Sequence, residues 1–332
     1  MSLVVIGGGP AGAAAAITAR QAGMAVTLLE ASRGPRFRPG ETLHPGVEPL
    51  LEQLEARRSI LDGAYLRHTG TWVQWGGAPE FVPFGGDDDG PWCGFQAPRA
   101  DFDQRLLSTA RALGVQVRER TPAKAIVVRR SRVAGVATAQ GVVSADYVID
   151  ASGSRHWLAR QLGIPVMRYS PPLTARYGYV SGAHADKLPL IQAHADSWTW
   201  TADIGHGEYA WVRVTTRDRA RPVNWLPEAL TGARASRSGG ADVTWRMPAR
   251  TAGDGWFMCG DGALLLDPSS SHGVLRGLMS GIAAARGAVE ACAGRTSAHS
   301  VSRDYHEWLS GWFRHDARVM AGHYHSVRLF GY

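Results

Sequence analysis

Two glycine-rich stretches at opposite ends of this 332-residue chain carry residue types that could hold an anion and move a proton. The first is Gly7-Gly8-Gly9-Pro10-Ala11-Gly12, a G-x-G-x-x-G run between the strand-like Leu3 to Ile6 and a helix from Ala11 to Ala22. In that pattern Gly7 makes a tight turn, Gly9 lets a pyrophosphate approach the backbone, and Gly12 lets helix and strand pack closely, with the phosphates on the helix N-terminus. A second strand, Ala25 to Leu29, ends in Glu30, at the spacing where an acidic side chain receives ribose hydroxyls. The second stretch is Cys259 to Gly277, CGDGALLLDPSSSHGVLRG. Here Ser271-His272-Gly273 opens a helix whose apolar face is Val274, Leu275, Leu278, Ile282 and Val289. The unpaired N–H groups and positive dipole end at that opening suit an anionic or electron-rich group.

The elements that must position these stretches follow from periodicity. Strand runs at 114–119, 123–129, 132–138 and 142–149 precede Asp150-Ala-Ser-Gly153, which returns the chain to its first sheet. A clear helix opens at Arg99, with Phe102, Leu106, Ala110 and Leu113 on one face and Gly114 as its stop. A shorter amphipathic helix is expected from Val47 to Arg57. Two other segments read as a second sheet. Residues 65–97 interleave Trp72, Trp75, Phe81, Phe84, Trp92 and Phe95 with glycine and proline, read chiefly as sheet core, around an exposed turn at Asp87 to Asp89. Residues 165–250 hold the paired runs Thr199 to Gly205 and Glu208 to Thr215, then a short helix around Leu226 to Ala235 that Gly239-Gly240 ends.

Composition sets the outer bounds. With 45% hydrophobic and 20% charged residues the chain is expected to fold as a soluble, cytoplasmic protein. No leader or membrane-spanning run is read; Ala11 to Ala19 is too short to cross a bilayer. The net charge of +7 is dispersed arginine, with only Lys124 and Lys187 as lysines, so no nucleic-acid partner is expected. Arg129, Arg130 and Arg132 read as a solvated hairpin turn. Three cysteines without CxxC spacing indicate no disulfide framework and no zinc site, and His323-x-His325 lacks a partner ligand, so no metal is expected.

The loop Arg36-Phe-Arg38-Pro-Gly40-Glu41-Thr-Leu-His44-Pro-Gly46 resembles the one that approaches the flavin in the flavin-dependent monooxygenase and halogenase-like superfamily. The resemblance is nearest to the flavoproteins that mature quinone-cofactor (tryptophylquinone) amine and amino-acid oxidases. YVIDASG resembles the second flavin fingerprint of that group, with Ser152 at a position where aromatic hydroxylases have Asp. GDGALLLDPSSSHGVLRGLMSG resembles the third. The resemblance implies an α/β chain: a three-layer, Rossmann-like FAD-binding domain of the glutathione-reductase type, an inserted antiparallel substrate domain and a C-terminal helix. The expected boundaries are 1–64, 98–164 and 251–292 for the FAD domain, 65–97 and 165–250 for the substrate domain, and 293–332 for the helical segment covering the cofactor domain. FAD would be held by Gly7, Gly9, Pro10, Ala11, Gly12, Glu30, Ala31, Arg38, Gly40, Arg99, Gly153, Asp261, Pro268, Ser271, Gly273 and Val274.

What the resemblance implies for activity is a monooxygenase. Noncovalent FAD, reduced by NAD(P)H or by a partner flavin reductase, reacts with O2 to a C4a-hydroperoxide that hydroxylates an electron-rich aromatic, with a peptide- or protein-bound tryptophan expected. His272, His44 and Glu41 are the expected proton-transfer groups flanking the substrate; the alternative is that His272 caps the helix and His44 packs beside Pro45. Halogenases of this fold need a lysine at a position where this chain has none, and their W-x-W motif is incomplete in SWTWTAD. An isoprenoid reductase would want a long apolar tunnel. A flavin-bound assembly factor without turnover is the alternative from a different class.

Overall fold

The computed structural model describes residues 1–34, 38–182, 189–216 and 225–327. Arg36, Phe37 and Lys187 lie outside them. Short apolar runs form a six-stranded sheet in the order Gln116–Arg118, Ala25–Leu29, Ser2–Ile6, Tyr147–Asp150, Trp256–Met258 and Ala252–Gly253. All neighbours are parallel except the last pair. The central strands are buried on both faces and therefore read as continuous apolar runs.

Helices α1 (Pro10–Gln21), α2 (Val47–Gln53), α3 (Arg57–Leu61), α4 (Arg99–Ala112), α5 (Trp157–Gln161), α6 (Gly273–Cys292) and α7 (Ala298–Ser326) follow in chain order. Ala13 to Ala16 are fully buried, and their small side chains let α6 lie directly on α1. A Cβ placed on Gly281 of α6 would come within 2.1 Å of the Ala11 carbonyl oxygen, so only glycine fits that crossing. A three-stranded meander, Ala125–Arg129, Arg132–Thr138 and Gly141–Ser144, completes the three layers of helices, sheet and meander. The arginine cluster lies at its first turn, where Arg130 and Ser131 take positive φ.

The second sheet has seven strands in the order Arg234–Asp242, Leu173–Ser181, Glu208–Thr216, Ser197–Gly205, Leu190–Ala193, Gly70–Gln74 and Glu80–Pro83. Strands from 65–97 and from 165–250 thus share one sheet, joined by the parallel pair Leu190–Ala193 and Gly70–Gln74.

Several local expectations are corrected. The helix expected over 47–57 is two, because Glu55 takes φ +55° between α2 and α3. The single strand expected over 142–149 is also two: Asp146 turns the chain out of the meander, its carboxylate accepting from the Ser2 N–H at 2.8 Å. The expected helix at 226–235 is only a 3-10 turn, Glu228–Leu230, after which the chain becomes an edge strand. Gly239 does not stop a helix; it lies in that strand, where a Cβ would meet the Tyr177 ring at 2.8 Å. Of the six tryptophans and phenylalanines in 65–97 only Phe95 is buried, while Phe81 and Trp92 stand in solvent. Finally, α7 reaches beyond the cofactor domain: Tyr324 packs between Trp75 and Trp245 of the second sheet's segments. Among the described residues no helix is long and apolar enough to cross a membrane.

Candidate functional site

The glycine-rich turn is built as its spacing requires. Gly7 takes φ +101°, and a Cβ there would meet the Ala151 carbonyl oxygen at 2.4 Å. A Cβ on Gly12 would fall 1.9 Å from the Gly7 oxygen. A Cβ on Gly9 would meet nothing within 4 Å, because Gly9 faces open space. The same openness surrounds Gly153 (φ +89°) and Gly273 at the start of α6. Three separated turns therefore present bare backbone to one cavity of about 450 Å3.

Of the expected cofactor residues, Gly9, Pro10, Ala11, Arg38, Gly40, Arg99, Gly153, Asp261, Pro268, Ser271, Gly273 and Val274 line that cavity. Gly7 and Gly12 do not line it; they shape the turn beneath. Glu30 lies in a smaller adjoining cavity that shares Gly9 and Arg38. Its carboxylate accepts from the Gly8 N–H at 2.8 Å, the Ser32 N–H at 2.8 Å and the Ser32 hydroxyl at 2.7 Å, so it also pins the loop. Ala31 lines neither cavity.

Arg99 is held by both oxygens of Asp103 at 3.2 Å and donates to the Pro39 carbonyl at 3.4 Å, behind Gly40. Ser271, in the left-handed region at φ +51°, turns the chain into α6. Its approach is set by Asp267, a fully buried carboxylate that accepts from the Ser269 N–H at 2.8 Å, the Trp245 indole N–H at 3.4 Å and the Tyr324 hydroxyl. Burial raises the Asp267 pKa, and these donors oppose that rise.

The expected proton-transfer groups sit elsewhere. None of Glu41, His44 and His272 lines the cavity. Glu41 is fully buried, receiving the Tyr179 hydroxyl and the Gly40 N–H at 2.8 Å; burial raises its pKa. His272 precedes Gly273 and makes no side-chain cap bond, so capping does not account for it. Its ring meets His44 edge-on at 5.3 Å, and His44 meets Phe84 at 5.2 Å. His44 Nδ1 accepts from the Gly46 N–H at 3.0 Å, which leaves Nε2 as its protonated nitrogen when neutral. Burial, aided by Arg276, pushes the His272 pKa down to about 4, and burial lowers His44 as well. Both are therefore neutral at pH 7, and the free nitrogen of His44 is a donor.

The remaining wall consists of residues that motif reading did not assign to the site. Trp198 and Trp200, two apart on one strand and so on one face, line the cavity with Tyr177, and α7 adds Trp308 and Trp312. The alternation in SWTWTAD was the available signal for the first pair. Arg276, one turn into α6, lines the cavity and is paired with Asp316 of α7 at 2.6 Å. Lys124 lies on the meander, away from the cavity, its N–H bonded to the Ala137 carbonyl. Among the described residues no group of histidine, cysteine and carboxylate side chains is placed to hold a metal ion.

The geometry agrees with comparisons to known proteins. The model of the FAD binding domain family matches residues 1–230. The tryptophan 2-halogenase of Chondromyces crocatus is 26% identical over 97% of this chain and 67% of its own. The menaquinone reductase of Mycobacterium tuberculosis is 28% identical over 85% of this chain and 75% of its own. The myxobacterial chondrochloren halogenase CndH superposes with a TM-score of 0.87 at 23% identity, covering 97% of this chain and 82% of that one. The last likeness is one of fold.

Proposed function

We propose, from the premise that this chain belongs to the FAD binding domain family and is an FAD-dependent oxidoreductase, that it is a monooxygenase acting on an electron-rich aromatic ring, the indole of a tryptophan carried in a peptide or protein. The observation that carries this reading is one continuous cavity. Its glycine-lined end offers the backbone of Gly9, Gly153 and Gly273 with the Asp261 carboxylate, and its other walls are Tyr177, Trp198, Trp200, Trp308 and Trp312.

The residues present fit FAD. Gly9 and the start of α1 would take the pyrophosphate, Glu30 and its small cavity the adenosine ribose, Asp261 the ribitol, and the N-terminus of α6 the pyrimidine edge of the ring system. Bound and reduced, the cofactor supplies an activated oxygen atom from O2, the second oxygen leaving as water and the two electrons coming from NAD(P)H or a partner flavin reductase. The protein's own work is to orient and exclude. The aromatic wall stacks and dries the substrate ring, and the helix dipole at Gly273 stabilises negative charge beside it. His272, neutral and at that turn, takes the proton that leaves the ring carbon when oxygen replaces it. His272 does not line the cavity, so this step requires the substrate ring to reach the turn that opens α6. The nearness of the loop and fingerprint motifs to the quinone-maturing flavoproteins supports the same substrate class.

The relation to tryptophan 2-halogenase favours one second reading, halogenation. Against it stands the sequence, in which neither lysine falls where halogenases of this fold need one; Lys124 lies away from the cavity and Lys187 lies outside the described residues. One assay separates them. Protein, a flavin reductase, NADH, O2 and bromide are incubated with a tryptophan peptide and the mass is measured. Addition of one or two oxygens supports the proposal; a bromine mass shift overturns it.

A further inference from the structure

His156 follows the second glycine turn and is held in a conformation that histidine rarely adopts. It takes φ +47° and ψ +54°, in the left-handed region, and only 4% of the residue is exposed. Backbone strain of this kind persists where the surrounding bonds over-determine it. The His156 N–H donates to the Gly153 carbonyl at 3.0 Å, and the ring is bonded at each nitrogen. Nδ1 lies 2.9 Å from the Gly262 carbonyl oxygen, which can only accept, so Nδ1 carries a proton. Nε2 accepts from the Arg246 Nε–H at 3.1 Å, which requires it to be bare. Together the two bonds select one species, the neutral Nδ1–H tautomer.

These bonds join three separate pieces of the cavity wall. Gly153 and Ser154 belong to the second turn, Asp261 and Gly262 to the third, and Arg246 to the short strand Arg246–Pro248, which pairs with Val166–Arg168. Arg246 carries the link onward. Its Nη2 donates to the Ser154 carbonyl at 3.0 Å and its Nη1 to the Asp242 carboxylate at 3.1 Å, while its backbone exchanges bonds of 3.0 and 2.9 Å with Leu265. Gly153, Ser154, Asp242, Asp261 and Leu265 all line the cavity. The two turns also meet at their backbones, since a Cβ on Gly262 would fall 3.2 Å from the Asp150 carbonyl oxygen.

We propose that His156 is a positioning residue for the cofactor: as the neutral Nδ1–H tautomer it fixes the Gly153 and Asp261 turns against each other and clamps them to Arg246, and a proton on Nε2 opens that clamp and weakens FAD binding. This rests on the reading that FAD lies across those two turns. Once protonated, Nε2 would point an N–H at the Arg246 N–H, donor against donor and cation against cation in a buried place, so the bond is lost. The charged groups around the ring are Arg246, Asp150 at the end of Tyr147–Asp150, and Asp261. Asp150 is itself occupied, accepting from the Ser152 N–H at 2.9 Å and the Leu158 N–H at 2.8 Å. Burial, aided by Arg246, holds the His156 pKa below its ordinary value, while the Gly262 carbonyl and the two carboxylates oppose that fall. The clamp is therefore complete at neutral pH and is lost as pH falls below the ordinary histidine range.

The test measures the Kd of FAD for the full chain by flavin fluorescence quenching from pH 8 to pH 5, with circular dichroism to follow folding. Affinity of the native chain should stay level from pH 8 to pH 7 and be at least threefold weaker at pH 5. His156→Asn keeps a donor for the Gly262 carbonyl and tolerates the left-handed backbone, but it neither titrates nor reaches Arg246. Arg246→Met keeps the stem and removes the donor. Each variant should bind FAD about fivefold more weakly than the native chain at pH 8 and then change little down to pH 5. The double variant should lose no more than the weaker of the two, because both cut one link. His306→Asn, at a histidine of α7 bonded to Thr251 instead, should keep the native Kd and the native pH profile. If His156→Asn does not fold, the Arg246→Met profile decides alone. A level native profile, variants that keep the native fall, losses that add in the double variant, or an equal effect in His306→Asn overturns the proposal. A native chain that binds no FAD at any pH overturns the cofactor reading on which the proposal rests, and the proposal with it.

Discussion

Replacing Tyr324 by Phe removes one hydroxyl from the point where α7 meets the turn before α6. In the native chain that hydroxyl donates to Asp267 and accepts from the Trp198 indole N–H at 2.7 Å, with all three groups buried. A hydrogen bond to a charged group contributes about 1.5–3 kcal/mol, and a buried donor left without its acceptor costs about 1–3 kcal/mol, so the variant should lose roughly 3 kcal/mol. For a chain of this size that corresponds to a fall in Tm of roughly 5 °C. Because the ring stays, no cavity contributes. The loss must also depend on pH. Burial holds the Asp267 pKa above its ordinary value and the Tyr324 hydroxyl pulls it back, so removing the hydroxyl raises it further. A carboxyl with a raised folded pKa favours folding below its unfolded pKa and loses that contribution as pH rises through the folded value. The destabilisation should therefore be larger at pH 8 than at pH 5. Urea unfolding at both pH values, with flavin fluorescence quenching to follow FAD affinity, measures this; a loss below about 0.5 kcal/mol, or one identical at the two pH values, refutes the reasoning.

Gly12→Ala should yield chain that does not retain FAD, since its Cβ would overlap the Gly7 oxygen, whereas Gly9→Ala should fold normally and bind FAD at least tenfold more weakly because its methyl enters only open space; circular dichroism and flavin titration separate the two. His272→Ala should keep FAD and slow substrate oxidation at least tenfold, and since the native His272 pKa is about 4, kcat/KM of the native protein should stay level from pH 8 to 5 and fall as pH drops toward that value. Parallel loss of flavin and turnover would return His272 to a packing role. Heat denaturation should release all flavin as free FAD, and colour retained on the precipitate would refute noncovalent binding.

Much of the glycine-rich backbone that would cradle the cofactor was legible because close backbone approach has few solutions. Where one turn packs against another only glycine avoids a clash, so the tight turn at Gly7 and Gly12 could be placed from identity and spacing, while Gly9 and Gly273 face open space. Helix α4 was equally legible, from its period and its Gly114 stop. The errors fell where identity is ambiguous. Gly239 looks like a helix stop but serves a neighbouring tyrosine ring, and the aromatics at 81 and 92 look like core but stand in solvent.

The sequence alone determined the glycine-rich turns, the parallel run of apolar strands and the return of the chain to the first sheet, because these depend on local sterics and period. Only the tertiary structure decided that Glu41, His44 and His272 stand off the cavity lining, that Asp267 is tied to the C-terminal helix, and that Trp198, Trp200, Trp308 and Trp312 share one wall. One of the contacts behind them, the Trp198 to Tyr324 bond, joins residues 126 positions apart. No local period encodes such a contact; it exists only once the two sheets and α7 have packed and the buried polar groups have been forced to find one another.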